Sequence, residues 1–263
     1  MKPNTPLTLL ALAAGALLAQ HASAGDLPNG RYTINPVNSG KCVDVAWAST
    51  ADGANIAQVA CNGNNAQVFD VVDTGSGWYK LTNVNSGKVM DVAANSGNDG
   101  ANIQQWSDNG SGAQRFSAKR VNGIEFVLTN KTSGKCVDVA GGSSADGANI
   151  QQWSCNGGSA QRYRFVPVGM AAVALREKIV KGEAPGLKQQ SELFRDNWGH
   201  AQLPLQLLSS YCHYAVIYRK SPVGLPVPLA FRTLKDMSDD DKAKLNTLLQ
   251  QIAWDTVSAH AMS

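Results

Sequence analysis

The pentapeptide Asp-Gly-Ala-Asn-Ile occurs three times in this chain, at residues 52–56, 99–103 and 146–150, a constant step of 47 residues. Other positions keep the same step. Asp44 returns as Asp91 and Asp138, Ser39-Gly40-Lys41 as Ser86-Gly87-Lys88 and Ser133-Gly134-Lys135, and Ala66-Gln67 as Ala113-Gln114 and Ala160-Gln161. A unit of this length is too small to bury its own apolar face, so three copies must stack or close on one another. The period also makes each copy a control for the others. A residue kept in all three is one the scaffold needs, and a residue that differs marks function or its loss.

Within each copy the pattern is that of short strands. Arg31-Tyr32-Thr33-Ile34, Trp78-Tyr79-Lys80-Leu81 and Glu125-Phe126-Val127-Leu128 keep a period of two like half-buried strands. Ser-Gly-Lys and Asp-Gly turn signals follow at fixed offsets. Three equal units that close on each other leave no exposed sheet edge. The fold class predicted is therefore all-β, a β-trefoil of three 47-residue repeats over residues 26–168. Three blades are too few for a β-propeller.

Both ends differ from this middle. Residues 1–24 read as an export signal: Lys2, an apolar run over 7–18, and Ala22-Ser23-Ala24 as a cleavage site. The run is too short to span a bilayer, and no membrane association is expected once it is removed. Removing Lys2 lowers the formal charge from +3 to +2, and no basic run interleaves with aromatics, so nucleic acid is not an expected partner. The expected location is secreted or periplasmic. Residues 169–263 carry helical spacing and form a predicted helical extension. Helices are expected over 171–181 and 205–218, and a last one is capped by Ser238 with Asp241 and faced by Leu245, Leu248, Leu249 and Ile252.

Cys42 and Cys61 lie 19 residues apart in repeat one, as do Cys136 and Cys155 in repeat three. Repeat two has neither, and Met90 and Asp108 are taken to stand at those two positions. Joint loss is what a bonded pair predicts, and an exported chain meets an oxidising compartment. Disulfides are expected at Cys42–Cys61 and Cys136–Cys155, with Cys212 left over.

A sugar presents hydroxyls and one apolar C–H face, so a site for it needs an acceptor carboxylate and an aromatic wall. Repeat two offers Asp91, Gln104 and Trp106, and repeat three Asp138, Gln151 and Trp153. Repeat one keeps Asp44 but has Ala57 and Val59 where its siblings have glutamine and tryptophan. Its site is expected to be dead, with Trp47 as a partial substitute. No cofactor and no metal site is expected, and the partner is a carbohydrate or polysaccharide.

Taken with Ser-Gly-Lys-Cys-Val-Asp-Val, Asp-Gly-Ala-Asn-Ile-Gln-Gln-Trp-Ser-Cys-Asn-Gly and the late Gln67-Val68-Phe69, Gln114-Arg115-Phe116 and Gln161-Arg162-Tyr163, residues 26–168 resemble the ricin B-type lectins. The resemblance implies that the aspartates bind hydroxyls, that Trp106 and Trp153 stack on galactose- or xylose-type sugars, and that Gln104 and Gln151 line the same pockets. That family often places asparagine before the late glutamine. Ala66, Ala113 and Ala160 stand there instead, so one hydroxyl contact is expected to be missing.

The extension has a weaker resemblance. Asp196-Asn197-Trp198-Gly199-His200 and the segments that follow look like the end of an SGNH/GDSL-type hydrolase. It implies Asp196 and His200 as weak candidates for a catalytic acid and base. The chain has no Gly-Asp-Ser nucleophile segment, so the alternative reading is a truncated esterase carrying a lectin targeting module. A trefoil that only binds a protein partner is disfavoured, because it has no use for repeated Asp/Trp pairs.

Overall fold

The computed structural model describes residues 27–195 and 201–260. The expected export signal and the Asp196/His200 pair lie outside the described residues. Twelve strands come first: β1 (Gly30–Pro36), β2 (Cys42–Val45), β3 (Ile56–Val59), β4 (Val68–Asp73), β5 (Trp78–Asn83), β6 (Val89–Val92), β7 (Ile103–Trp106), β8 (Phe116–Asn122), β9 (Glu125–Asn130), β10 (Cys136–Val139), β11 (Ala148–Trp153) and β12 (Arg162–Val166). Six of them pair antiparallel in a ring, β1–β4–β5–β8–β9–β12 and back to β1, which leaves no free edge. The other six form three hairpins, β2–β3, β6–β7 and β10–β11, each joined to its neighbours by a short bridge or ladder.

The alternation read from the sequence is what fills the barrel. Tyr32, Ile34, Tyr79, Leu81, Phe126 and Leu128 all point inward and are buried, and they meet Phe69, Phe116 and Phe165 at the centre. Phe165 stacks edge-on against both Tyr32 and Phe126, at 5.7 and 5.5 Å.

A recurring set of polar contacts clasps each repeat to the next. The Asp-Gly aspartates pair across repeats: Asp52 with Lys88, Asp99 with Lys135 and Asp146 with Lys41, each at 2.7 Å. Each also accepts a backbone N–H, from Ser107, Ser154 and Ala60 respectively. Behind them Gln58, Gln105 and Gln152 are fully buried. Gln105 Nε2 donates to the carbonyls of Ser49 and Ala51, Gln152 to those of Ser96 and Asn98, and Gln58 to those of Ser143 and Ala145. Their Oε1 atoms accept from Ser86, Ser133 and Ser39 at 2.7 Å.

Two disulfides form as expected, Cys42–Cys61 and Cys136–Cys155. The strand register corrects one detail of repeat two. Val89, not Met90, takes the first cysteine's place: Val89 faces Trp106 as Cys42 faces Val59 and Cys136 faces Trp153. Met90 is a buried core residue. Asp108 does stand at the second cysteine's place, where it pairs with Lys80 at 3.0 Å and Arg115 at 3.2 Å.

The extension is helical: α1 (Val168–Val180), α2 (Leu203–Tyr218), α3 (Leu229–Arg232) and α4 (Asp239–His260). The first helix starts three residues earlier than its spacing suggests, directly after Pro167, whose fixed φ suits a helix start. Ser238 caps α4 as read: its Oγ accepts from Asp241 N at 3.1 Å and donates to Asp241 Oδ2 at 2.8 Å. Leu175, Leu208, Val216, Leu245, Leu249 and Val257 form a second core, and Ile124 and Val166 of the barrel belong to it. Cys212 is buried in this core with its thiol unbonded, and burial pushes its pKa to about 12. Where α1 crosses β1 the contact is close. A Cβ at Gly30 would come 2.6 Å from Cε of Met170, so only glycine fits without displacement. Among the described residues no helix is long and apolar enough to cross a membrane.

Candidate functional site

In repeat three, strand pairing sets Asp138 directly opposite Gln151, with Trp153 two residues further along the same strand face. Gln151 Nε2 donates to Asp138 Oδ2 at 3.0 Å, which fixes the carboxylate at the floor of an open cleft of about 410 Å³. Trp153 forms one wall and is 41% exposed, so it is not a core residue. The ring is backed from the preceding repeat: a methyl group at Gly100 would sit 3.7 Å from Cζ3 of Trp153. Gly141 and the turn that carries Asn156 also line the cleft.

Repeat two repeats the construction. Asp91 faces Gln104, Gln104 Nε2 donates to Asp91 Oδ1 at 2.9 Å, and Trp106 is 40% exposed. A methyl group at Gly53 would sit 3.6 Å from Cζ3 of Trp106. Asp91, Gln104 and Trp106 are thus brought together, as are Asp138, Gln151 and Trp153. In both sites burial raises the carboxyl pKa, and hydrogen bonds from the neighbouring glutamines only partly offset it.

Gln67, Gln114 and Gln161 are fully buried and hold the turn behind each site. Each accepts from the N–H of Asn62, Asn109 or Asn156 and donates to the carbonyl seven residues before it. Asn156 is the residue that motif reading missed. The asparagine often found next to the late glutamine is absent, but Asn156, five residues before that glutamine, lines the repeat-three cleft, with its Oδ1 accepting from Gly158 N at 2.8 Å. The recurring Asn-Gly at 62, 109 and 156 was the signal for it.

Repeat one has the floor without the wall. Asp44 is buried and faces Ala57, and burial raises its pKa with only Gln67 to offset it. Val59 replaces the tryptophan, and a methyl group at Gly147 would meet nothing within 4 Å, so the backing glycine faces a gap. Trp47 stands where the siblings have Ala94 and Gly141. It is 98% exposed on a left-handed backbone (φ 60°, ψ 21°), and so stands clear of the Asp44 floor.

The profile of the ricin-type β-trefoil lectin domain matches residues 77–180, and that of the related domain-like family matches residues 19–106. A designed threefold-symmetric protein, ThreeFoil, is 40% identical, with a TM-score of 0.51 over 52% of this chain and 98% of its own. The chain belongs to the ricin-type β-trefoil lectin family. An exo-β-1,3-galactanase from Clostridium thermocellum is 35% identical, with a TM-score of 0.51 over 52% of this lectin and 30% of the enzyme, so this chain spans less than a third of that protein. A lectin from Polyporus squamosus shares the fold at 16% identity, with a TM-score of 0.50 over 71% of this chain and 66% of its own. No curated protein matches the lectin. The family profiles end at residue 180, so the extension beyond α1 lies outside them.

Proposed function

We propose that this chain is an exported carbohydrate-binding lectin whose sugar sites lie in repeats two and three of its three 47-residue units. Residues 1–24 are the export signal, residues 26–168 the lectin domain and residues 169–263 the extension. The observation that carries the reading is the Asp138–Gln151–Trp153 cleft and its twin at Asp91–Gln104–Trp106. Asp91 and Asp138 accept from two neighbouring sugar hydroxyls. Gln104 and Gln151 hold those carboxylates in place through Nε2 and offer Oε1 to a third. Trp106 and Trp153 stack on the C–H face, an arrangement that favours galactose- or xylose-type rings with an uninterrupted apolar face. The similarity to an exo-β-1,3-galactanase is a reason to test galactose polymers first.

Each cleft is open and holds one sugar unit, so affinity for a monosaccharide is weak and a polymer that reaches both clefts is held more tightly. A glycan array and a polysaccharide column, run with the chain from residue 25 onward, test the reading. The Trp106→Ala/Trp153→Ala chain should lose retention while keeping its far-ultraviolet circular dichroism and melting temperature. Undiminished retention of that variant would remove the site assignment.

A further inference from the structure

A second and wider groove, of about 580 Å³, runs between α2 and the 61–63 turn of repeat one. Helix α2 contributes Gln206, Ser210, His213, Tyr214 and Tyr218, and the turn contributes Asn62. None of the groove's lining residues carries a formal charge, with His213 neutral. Its Nδ1 lies 2.8 Å from the carbonyl of Ser209, which can only accept, so Nδ1 carries a proton, and its Nε2 lies 3.2 Å from Thr33 Oγ1. Burial lowers its pKa and keeps it in that form. An anion or a metal ion finds no compensating charge there. What remains is a mixture of hydroxyl, amide and aromatic surface.

The aromatic part is a pair. Tyr214 and Tyr218 are one helical turn apart, with ring centroids 5.0 Å apart and planes tilted by 46°. Tyr218 is 63% exposed. An exposed ring with a hydroxyl at its tip is a platform for a C–H face whose edge stays wet. Around it the polar groups have capacity left. Asn62 Oδ1 accepts from Asn64 N, so its Nδ2 is the group it presents. Gln206 Nε2 donates to the carbonyl of Ala201, which leaves its Oε1 to accept.

The position is informative as well. Asn62 is the counterpart of Asn156, two steps of 47 residues earlier, and Asn156 lines the repeat-three cleft. The same turn that walls a cleft in repeat three is, in repeat one, flanked by a helix that brings aromatics from outside the repeat.

We propose that this groove is a further sugar-binding site, built jointly by repeat one and the extension, and that its ligand is an uncharged glycan segment stacked on Tyr218. The proposal rests on the lectin reading above. It assigns the extension a role in binding and explains how repeat one contributes after losing its own stacking residue.

The test uses the full chain labelled with 3-fluorotyrosine and titrated with a neutral galacto- or xylo-oligosaccharide. Fluorine signals from Tyr214 and Tyr218 should shift with a saturable isotherm in the native chain and in Trp106→Ala/Trp153→Ala. Tyr218→Ala, an exposed change that leaves the fold intact, should remove the remaining isotherm. In the native background it should weaken retention on the polymer by roughly 3- to 10-fold. If Tyr214 and Tyr218 stay silent at saturation while the tryptophan variant loses retention, the groove proposal is overturned and the lectin reading stands. If the native chain binds no sugar by either measurement, both are overturned. A concentration-dependent dimer that Tyr218→Ala dissolves would also overturn it, by assigning the groove to a second copy of the chain.

Discussion

Repeat one and repeat three share a scaffold and differ in what stands on it. Both bury an aspartate at the same strand position, close a disulfide of the same span, clasp the preceding repeat through a buried glutamine, and hold their late turn with another. Only repeat three adds Gln151 beside the aspartate and Trp153 along the wall. Only repeat one has the extension packed against its late turn, where Asn62 and Gly63 line the α2 groove. The buried glutamines kept in all copies bond across repeats or hold a turn within one, whereas the tryptophans that repeat one lacks stand at the surface. Scaffold and site are therefore separable, and a repeat that loses its sugar wall keeps its place in the barrel.

The largest effect expected from breaking the scaffold is at the disulfides. Each closes a loop of 19 residues, so replacing either pair by serines should cost roughly 3 kcal/mol. If the scaffold is the same in both repeats, the two losses should agree within about 1 kcal/mol by denaturant unfolding. A much larger loss for Cys42/Cys61 would show that the α2 contact depends on that bond.

Next in size are the buried glutamines. Gln58→Ala and Gln152→Ala each strand two carbonyls and a serine hydroxyl, at about 2 kcal/mol apiece. The cost should be the same in the repeat without a sugar wall as in the repeat with one. A near-neutral Gln58→Ala would mean that repeat one has relaxed its scaffold along with its site.

Acid should separate the two classes of aspartate. In the proposed sites sugar hydroxyls would donate to Asp91 and Asp138, so binding there would need their ionised forms. Burial raises both pKa values, and binding is lost as pH falls through a range above the usual one for aspartate. Asp52, Asp99 and Asp146 are shifted the other way, chiefly by hydrogen bonds from Lys88, Lys135 and Lys41. Their contribution to stability is complete above the unfolded aspartate pKa and is lost only as pH falls through the depressed values. Column retention followed against pH should therefore vanish while circular dichroism is still native. Coincident loss of both would mean that acid acts through the fold alone.

Much of this was legible in the sequence because the repeat supplies its own comparison. Strand positions, the disulfides and both Asp–Gln–Trp sets follow from the 47-residue step and period-two alternation. The clasp formed by Gln58, Gln105 and Gln152 was not, because a glutamine beside a site glutamine reads as one polar pair until strand register puts the two on opposite faces. Met90 was set in the first cysteine's place although the 47-residue step from Cys42 gives Val89, and the pairing of Val89 with Trp106 agrees with that step. The α2 groove was illegible. It joins Asn62 to Tyr218 across the chain, and no local pattern records that contact.

The smallest effect expected is a gain. If Ala57 and Val59 alone separate repeat one from its siblings, Ala57→Gln/Val59→Trp should rebuild a wall over Asp44, because the space before Gly147 is open. Val59 is half-buried but Ala57 is buried on β3, so the larger side chains should cost about 1 kcal/mol or more of stability, which a melting curve of the graft measures. Placed in the Trp106→Ala/Trp153→Ala chain, the graft should return retention above that variant's residue, though more weakly than the native chain, since a single rebuilt cleft lacks the multivalent gain of two. Failure of the graft would point to Trp47. It occupies the position of Gly141, a cleft-lining residue in repeat three, and it is the remaining large difference at that lip. Adding Trp47→Ala to the graft decides between the two: recovery then assigns the silence of repeat one to an obstructed lip as well as a missing wall.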